Sequence, residues 1–287
     1  MKINKTKRQN SHMQEIWRKL KINKVAMASL IVIIIILFVA AFGTYLAPYH
    51  FAEQNYDKVL QYPNKIHLFG TDNFGRDIFS RILYGCKYTV FIGFGATILA
   101  AAFGIVLGLL AAYYKKLDNL IMRIMDVFIG MPGMTLLILI IAVLGTDIKI
   151  MVLAIAISYT PTFARVTRGA ALSVINQEYI EACVAIGANS WRILFKHVLP
   201  NSLAPVIVQF TLTAGLSILL GASLSFVGMG VQQPIPEWGL MVSDGRSYLR
   251  SDWYMSIIPG LAIILVTTAL NYIGDGIRDA LDPRLNK

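Results

Sequence analysis

Long apolar stretches alternate with short polar segments along this chain of 287 residues. A helix needs about 20 predominantly apolar residues to cross a bilayer. Six stretches contain no charged residue, namely 25–47, 88–114, 127–146, 150–164, 203–236 and 253–274. The pattern predicts an all-α integral membrane protein with six transmembrane helices. The fourth stretch is short, and we expect its helix to continue past Arg165 towards the membrane surface.

The composition agrees with a membrane protein. Only 15% of the residues are charged and 56% are hydrophobic, whereas about 25% of the residues of a soluble domain are charged. Pro132 and Pro161 lie inside two of the apolar stretches. Each removes a helical hydrogen bond, so we expect kinks at both positions.

The basic residues predict how the helices are oriented. One side of the membrane receives the N-terminal arm, the segments after the second and fourth spans and the C-terminal tail, with 18 of the 26 Lys and Arg residues; the other side receives 8. Cytoplasmic segments of membrane proteins are enriched in Lys and Arg. Both termini are therefore expected in the cytoplasm. The same bias explains the net charge of +10, and we predict no nucleic-acid partner.

The predicted spans also divide the chain into parts. Residues 1–24 form a basic arm, in which Met13, Ile16, Trp17 and Leu20 share one helical face, a pattern typical of a helix lying on membrane lipid. The first span is too long for a signal peptide, and no clear cleavage site follows it. The parts are the arm 1–24, the first transmembrane helix 25–47, an extracytoplasmic loop 48–86, a five-helix core 87–275 that includes segment 176–200, and a cytoplasmic tail 276–287.

Segment 176–200 is polar, lies between two apolar stretches and contains helix signals. Asn176 is a plausible N-cap for a helix through Ile186, which Gly187 then breaks, with a positive φ. Asn189 or Ser190 can cap a second short helix. These signals predict two short helices joined at a glycine, protruding from the membrane into the cytoplasm.

The second of these helices is expected to end near His197, because Pro200 prevents its simple continuation. A merely solvated loop does not need apolar residues that face outward. Small apolar side chains on the first helix and its end are therefore predicted to form a docking surface; they are Ala182, Ala185, Ile186 and Ala188.

The same segment resembles a motif of permease subunits in binding-protein-dependent ABC importers. That pattern is Glu-Ala-Ala, three residues, Gly, nine residues, Ile-x-Leu-Pro, and this chain follows it with Cys183 in place of the second Ala and His197 in place of Ile. The resemblance implies that segment 176–200 docks onto an ATP-binding subunit. The residues that it assigns to this coupling are Glu178, Glu181, Ala182, Cys183, Gly187, Leu199 and Pro200.

Further motifs resemble one branch of this family. Residues 69–77 read Phe-Gly-Thr-Asp-Asn-Phe-Gly-Arg-Asp, which matches a signature of the oligopeptide, dipeptide and nickel permeases; residues 224–239 and 271–284 agree with the same branch, in its C-type chain. On physical grounds alone, residues 69–77 form a turn, with Asp72 or Asp77 capping a helix over 78–84.

The resemblance implies an assembly in a bacterial inner membrane. The implied partners are a second related permease chain, two ATP-binding subunits and an extracytoplasmic substrate-binding protein, which we expect to contact loops 48–86 and 229–252. No phosphate-binding Gly-x-x-x-x-Gly-Lys-Ser/Thr loop occurs in this chain. We therefore expect no catalytic residue, metal or cofactor here, with ATP and Mg²⁺ bound by the partner subunits. Peptides and nickel or metal-chelate complexes both remain open as substrates.

The alternatives are an ion-gradient-driven transporter or channel, and a membrane-embedded enzyme. The first needs ionisable groups near the bilayer centre. Asp126 is the best candidate, but it lies near the inner interface, where a structural pair with Arg123, Arg165 or Arg168 is expected; Asp275 is interpreted in the same way. An enzyme needs clustered acids or histidines, and the four histidines are scattered.

Polar residues within the spans are candidates for lining a hydrophilic path. Those predicted are Ser158, Thr162, Gln209, Thr213 and Ser217. Cys86 and Cys183 fall on opposite sides of the membrane in this topology and cannot pair. We expect Cys86 to react from outside or to lie at the outer interface, and Cys183 to react only after permeabilisation.

Overall fold

A computed structural model describes residues 18–281 of the chain. In this range it is all-α, as predicted, with no β-strand. The proposed lipid-binding face at Met13, Ile16 and Trp17 lies outside the described residues, as do residues 282–287. The helices are α1 (Lys24–Leu46), α2 (Ile78–Tyr113), α3 (Lys115–Gly130), α4 (Gly133–Leu144), α5 (Ile148–Ile175), α6 (Glu178–Ala185), α7 (Ser190–Phe226), α8 (Trp238–Gly245) and α9 (Tyr254–Leu281).

Five of these helices are long and apolar enough to span a membrane: α1, α2, α5, α7 and α9. A sixth span is obtained if α3 and α4 count as one, but the two helices are bent by 93°. The predicted span over 127–146 therefore crosses a sharp bend, and the kink predicted at Pro132 is confirmed. Pro132 lies at the break, where it has no N–H to continue the helix. Helix α5 passes Arg165 and ends at Ile175, as expected.

Helix α2 begins inside the segment that was predicted to be an outer loop. Asp77 is its N-cap, with Oδ2 accepting a hydrogen bond of 2.7 Å from the Ser80 amide. The helix then runs for 36 residues without a break, so a separate short helix over 78–84 is not formed. At 1.5 Å per residue α2 is roughly 54 Å long, well beyond the bilayer core of about 30 Å. It therefore extends beyond the bilayer.

The most extensive helix packing in the described residues joins α2 to α5. A Cβ added to Gly108 would lie 2.5 Å from the Ala164 carbonyl oxygen, and one added to Gly104 would lie 2.8 Å from the Thr160 oxygen. These two glycines lie four residues apart on one face of α2. Such a spacing lets two helix backbones approach closely in a membrane, where van der Waals packing replaces the hydrophobic effect.

Helix α1 lies at the edge of the bundle, packed on α2 and α9 with most of its side chains exposed. Cys86 of α2 is completely buried beneath it, and its thiol contacts the Ile36 carbonyl oxygen at 3.4 Å. Of the two outcomes expected for Cys86, its burial argues against reaction from outside. Hydropathy placed this residue near the end of a span but did not indicate which helix covers it.

The loop between α1 and α2 is held by buried charges. Asp72 accepts hydrogen bonds from the Phe74 and Arg76 amides and from Arg76 Nε at 2.6 Å. Arg81, from the first turn of α2, lies 3.6 Å from the same carboxylate. Both arginines are almost fully buried. Asp72 thus organises the turn, while Asp77 caps the helix.

This loop is tied to the segment that contains α8. Arg76 donates to the Gln233 side chain at 3.4 Å, and Gln233 donates to Asp244 at 2.8 Å. Burial raises the pKa of Asp244, although Gln233 and the neighbouring arginines oppose that shift. Glu237 caps α8 through the Gly239 and Leu240 amides. We call the loop 48–77 together with residues 232–252 the outer cap.

The packing of α2 on α5 predicts that a single methyl group at Gly108 destabilises the fold. Gly108→Ala places its Cβ against α5 backbone, so the helices must separate. We expect a loss of about 1–3 kcal/mol and a lower melting temperature in detergent. Gly95→Ala on the same helix is the matched control, because its Cβ would meet Val152 at an ordinary 3.5 Å. Equal melting temperatures for the two variants would contradict the close packing.

Candidate functional site

Segment 176–200 follows directly from the C-terminal end of α5, which we call the inner end after the predicted topology. Asn176 is the C-cap of α5 and does not cap α6, which begins one residue later than the capping signal suggests. Gln177 takes the N-cap position of α6 without a side-chain hydrogen bond. The predicted N-cap at Asn176 is therefore wrong, and α6 begins at Glu178 and ends at Ala185. The short break leaves α6 attached closely to the end of α5.

The turn after α6 has the predicted glycine geometry. Gly187 has a φ of +77°, a conformation that β-branched residues adopt poorly. The Gly187 and Ala188 amides donate to the carbonyl oxygens of Val184 and Cys183, which closes the end of the helix. Asn189 then caps the next helix by accepting a hydrogen bond from the Trp191 amide at 3.1 Å.

The second helix does not end before Pro200. It passes through a π-helical stretch, Ile193–Val198, into the long helix Leu199–Phe226. The Leu199 amide donates to the Leu194 oxygen, five residues back. Pro200 falls in the first turn of the α-helical part, directly after the π-helical stretch. The predicted stop near His197 is therefore wrong, and the segment is rigidly continuous with α7.

One side of segment 176–200 is anchored to the bundle. Ile180 of α6 and three residues of the π-helical stretch are buried against the inner ends of α2 and α5. Two polar contacts add to this packing: Tyr113 donates to Ser190 at 3.3 Å, and Asn201 donates to the Tyr179 hydroxyl at 3.2 Å. The buried anchor consists of Leu109, Ala112, Ala171, Val174, Ile180, Ile193, Leu194 and Val198. Because of this anchor, α6 has little freedom to move separately from α2 and α5.

The other side of the segment exposes large apolar side chains. Ile186 is 83% exposed at the tip, and the rings of Trp191 and Phe195 stack 5.3 Å apart. Glu178 and Glu181 are exposed in the first turn of α6, and within residues 18–281 neither forms an ion pair. We call this surface the coupling face; its apolar members are Tyr179, Val184, Ile186, Trp191 and Phe195.

The predicted coupling residues are divided between the two sides. Glu178, Glu181, Ala182, Gly187 and Pro200 are exposed, whereas Cys183 and Leu199 are half-buried on the anchored side. Ala188, predicted to face outward, is half-buried there as well. The aromatic pair Trp191 and Phe195 was missed, although its spacing of four residues in a polar segment is a signal that the sequence contains.

The residues predicted to line a path fall in different environments. Thr213 and Ser217 are fully buried, the first bonded to Gln209 at 2.9 Å and the second to Thr97 at 3.2 Å. They pack between helices and line no open path in this structure. Gln209 also borders a cleft of about 470 Å³ near the inner end of α9, where Arg278 lies. Ser158 and Thr162 are half-buried on α5.

The charges at the inner ends of the spans form pairs, as predicted for Asp126. Arg165 of α5 bonds to Asp126 of α3 at 2.5 Å, and Arg168 forms two bonds to Asp118. Asp275 is exposed and has no ion pair within residues 18–281. The same range contains no group of three His, Cys, Asp or Glu residues that could hold a metal ion.

Comparison with known proteins identifies the kind of chain that shares these features. Residues 104–287 match the family described as "Binding-protein-dependent transport system inner membrane component", and residues 11–63 match "N-terminal TM domain of oligopeptide transport permease C". The chain is 45% identical over 273 residues to a dipeptide transport system permease of Alkalihalophilus pseudofirmus, covering 95% of this chain and 90% of that one.

Two other relatives are similar at nearly the same level. A glutathione transport system permease of Pectobacterium atrosepticum is 42% identical, with 95% of this chain and 91% of the relative covered. A di/tripeptide transport system permease of Pseudomonas aeruginosa is 40% identical, with 96% and 93% covered. Among solved structures, an inward-facing MetNI methionine ABC transporter matches 70% of this chain and 97% of its own at a TM-score of 0.58 and 20% identity, which shows a shared fold.

The geometry at Gly187 predicts that substitutions there act locally. Gly187→Val forces a β-branched residue into a positive φ, which costs about 1–3 kcal/mol and should loosen the turn between α6 and α7. Proteolysis of this turn, measured in purified protein, should be faster than in the unchanged chain. Gly187→Asn is the matched control, because Asn tolerates this conformation far better. Equal cleavage rates for both variants would mean that the turn is not constrained.

Proposed function

The chain belongs to the family of inner membrane components of binding-protein-dependent transport systems, and we propose that its coupling face docks onto a separate ATP-binding subunit. The chain itself is a permease subunit of an ATP-driven importer. The observation that carries the proposal is the exposure of Ile186, Trp191 and Phe195 on a polar, anchored protrusion. Contiguous apolar side chains on a water-facing surface mark an interaction site.

The anchor makes this surface suitable for transmitting motion. Because α6 is packed against the inner ends of α2 and α5, a displacement of α6 moves these helices with it. Segment 176–200 is also continuous with α7. A partner that changes shape when it binds and hydrolyses ATP therefore moves three of the spanning helices through one docking site. Glu181, exposed beside the apolar residues, is positioned to bond to a basic group of that partner.

The complete importer that we propose has further subunits. This chain forms half of the pathway, a second related permease forms the other half, and two ATP-binding subunits lie in the cytoplasm. A substrate-binding protein docks on the outer cap, whose buried ion pairs give it a fixed shape. The substrates are short peptides, since the relatives' names specify dipeptides, di/tripeptides and glutathione. The comparisons give no support for nickel or a metal chelate.

The proposal predicts that a polar residue at the tip of α6 weakens the complex. Ile186→Ser removes an apolar side chain that we expect to become buried on docking, which is worth about 1.5–3 kcal/mol, a change in affinity of roughly 10- to 150-fold. The ATP-binding subunit should then be recovered poorly with the permease, and ATP-driven uptake into reconstituted vesicles should fall. Insertion and abundance of the chain should not change.

A matched control distinguishes docking from a general loss of apolar surface. Ile22 is 75% exposed and lies just before α1, outside the coupling face, so Ile22→Ser should leave recovery of the ATP-binding subunit unchanged. Normal recovery and uptake with Ile186→Ser would refute the docking site. A similar loss with both variants would show that the effect does not come from the coupling face.

We further propose that both termini and the coupling face are cytoplasmic, as the distribution of Lys and Arg indicates. The test uses single cysteines in a Cys183→Ala chain, in which Cys86 is buried and stays unlabelled. An impermeant maleimide should label Gln54→Cys in intact spheroplasts and Ala185→Cys only after permeabilisation, since both positions are exposed. The reverse pattern would place the termini outside.

A further inference from the structure

Helix α3 presents three distinct faces. One is buried against the core by Ile121 and Met125. A second is apolar and exposed, and consists of Leu117, Leu120, Ile124 and Val127. The third is polar and exposed, and consists of Asn119, Arg123, Asp126 and Gly130, which recur every three or four residues. The apolar face suits lipid, whereas charged side chains in spanning segments face water or protein.

A polar stripe on α5 meets this third face. It runs along one side of the helix through Ser158, Thr162, Arg165 and Gly169, and becomes more exposed towards the inner end. Arg165 joins the stripe to α3 through its ion pair with Asp126. We call the two stripes together the inner polar face. Its composition is incompatible with lipid, so it borders either the substrate pathway or the second permease chain.

The outer part of the same side of α5 is closed. Met151 and Ile155 occupy the preceding turns of this side and are completely buried, in a cluster with Leu137 and Ile141 of α4. Ser158 lies where the closed part ends, and its hydroxyl oxygen is buried without a hydrogen-bond partner in the described chain. The side therefore changes from sealed to open along α5, and an unsatisfied hydroxyl lies at the transition.

The two ion pairs between α3 and α5 differ in their number of hydrogen bonds and in their exposure. These differences indicate a structural role for one pair and a binding role for the other. Arg168 and Asp118 form a two-bond pair with side chains 33% and 24% exposed, which fastens the helices together. Arg165 and Asp126 share a single bond, with side chains 49% and 57% exposed. An exposed pair of this kind contributes only about 0–1 kcal/mol to stability. It can open at little cost.

We propose that Arg165 and Asp126 bind the charged termini of a short zwitterionic peptide at the inner part of the pathway. Arg165 receives the α-carboxylate, for which its planar guanidinium can supply two parallel hydrogen bonds. Asp126 receives the α-ammonium group. When the site is empty the two side chains neutralise each other, and when it is filled each has a new partner. No charge is left unpaired in either state.

This pairing agrees with the size of a short peptide. The charged ends of an extended dipeptide lie roughly 5–6 Å apart, given 3.8 Å between adjacent Cα atoms, and the long Arg165 side chain can withdraw from Asp126 by such a distance. Thr162, one turn from Arg165 along α5, is half-buried and offers a hydroxyl to the peptide backbone. The inference rests on the proposed function, because it assumes a peptide substrate.

The test measures ATP-driven uptake by the complete importer in vesicles, with a free dipeptide and with the same dipeptide amidated at its carboxyl end. Each variant is scored against the unchanged chain with the same peptide, so selection by the binding protein cancels. Arg165→Gln should lower uptake of the free dipeptide about tenfold, the effect of losing a charge-assisted hydrogen bond. Uptake of the amidated dipeptide should change by less than about twofold, since a neutral amide offers no charge to lose.

Two further variants test whether Asp126 binds the amino end of the peptide and whether the planar guanidinium of Arg165 is required. Asp126→Asn should reduce uptake of the free dipeptide more than that of an N-acetylated one. Arg165→Lys keeps the charge but loses the planar fork, and should give an intermediate loss with the free dipeptide alone. If Arg165→Gln lowers the yield of folded protein, these two variants still show whether the Arg165–Asp126 pair binds the charged ends of the peptide.

Arg168→Gln and Asp118→Asn are the matched controls, on the same two helices. They should lower the melting temperature and reduce uptake of all peptides by the same factor. If Arg165→Gln behaves in the same way, or has no effect on either peptide, the Arg165–Asp126 pair is only a structural contact and the inference is overturned. If the unchanged chain recruits no ATP-binding subunit and transports no peptide with ATP, the proposed function itself fails, which is a separate result.

Discussion

The close approach of α2 and α5 at Gly104 and Gly108 is the contact on which the rest of the structure depends. Lipid tails are as apolar as leucine side chains, so spanning helices gain no hydrophobic free energy from pairing, and packing must supply it. Bringing two backbones together over two turns maximises that packing. It also fixes the inner ends of both helices, and Leu109 and Ala171 there form part of the anchor beneath α6.

The outer cap meets a different constraint, because it buries charge. Arg76 and Arg81 are both almost inaccessible to solvent, and an unpaired buried cation is very costly. Asp72 compensates both, and the chain of hydrogen bonds from Arg76 through Gln233 to Asp244 carries the network across to α8. Segments far apart in sequence are thereby held in one arrangement. A rigid outer surface is what a docking protein can recognise.

The sequence predicted the membrane class, the kink at Pro132 and the glycine turn at Gly187, because apolar length, proline geometry and φ preferences are properties of local sequence. It did not predict features that depend on an angle or on neighbouring helices. Hydropathy does not give the angle of 93° between α3 and α4, so it does not show whether the two helices form one span. Thr213 and Ser217 were predicted to line a path because they are polar. They are buried instead, since Gln209 and Thr97 form hydrogen bonds with them, and these partners are visible only in the fold.

Helix α5 connects every feature that bears on transport. Its outer part is sealed at Ile155, its middle carries the polar stripe to Arg165, and its inner end packs in the anchor and leads into α6. The helix runs without a break from Ile148 to Ile175, although Pro161 lies inside it, so a displacement of one end is passed on to the other. A rotation of α5 imposed at the coupling face therefore moves the sealed outer part and the polar inner part of this helix together. Because the Arg165–Asp126 pair lies between them, the state of this pair must depend on the position of α6.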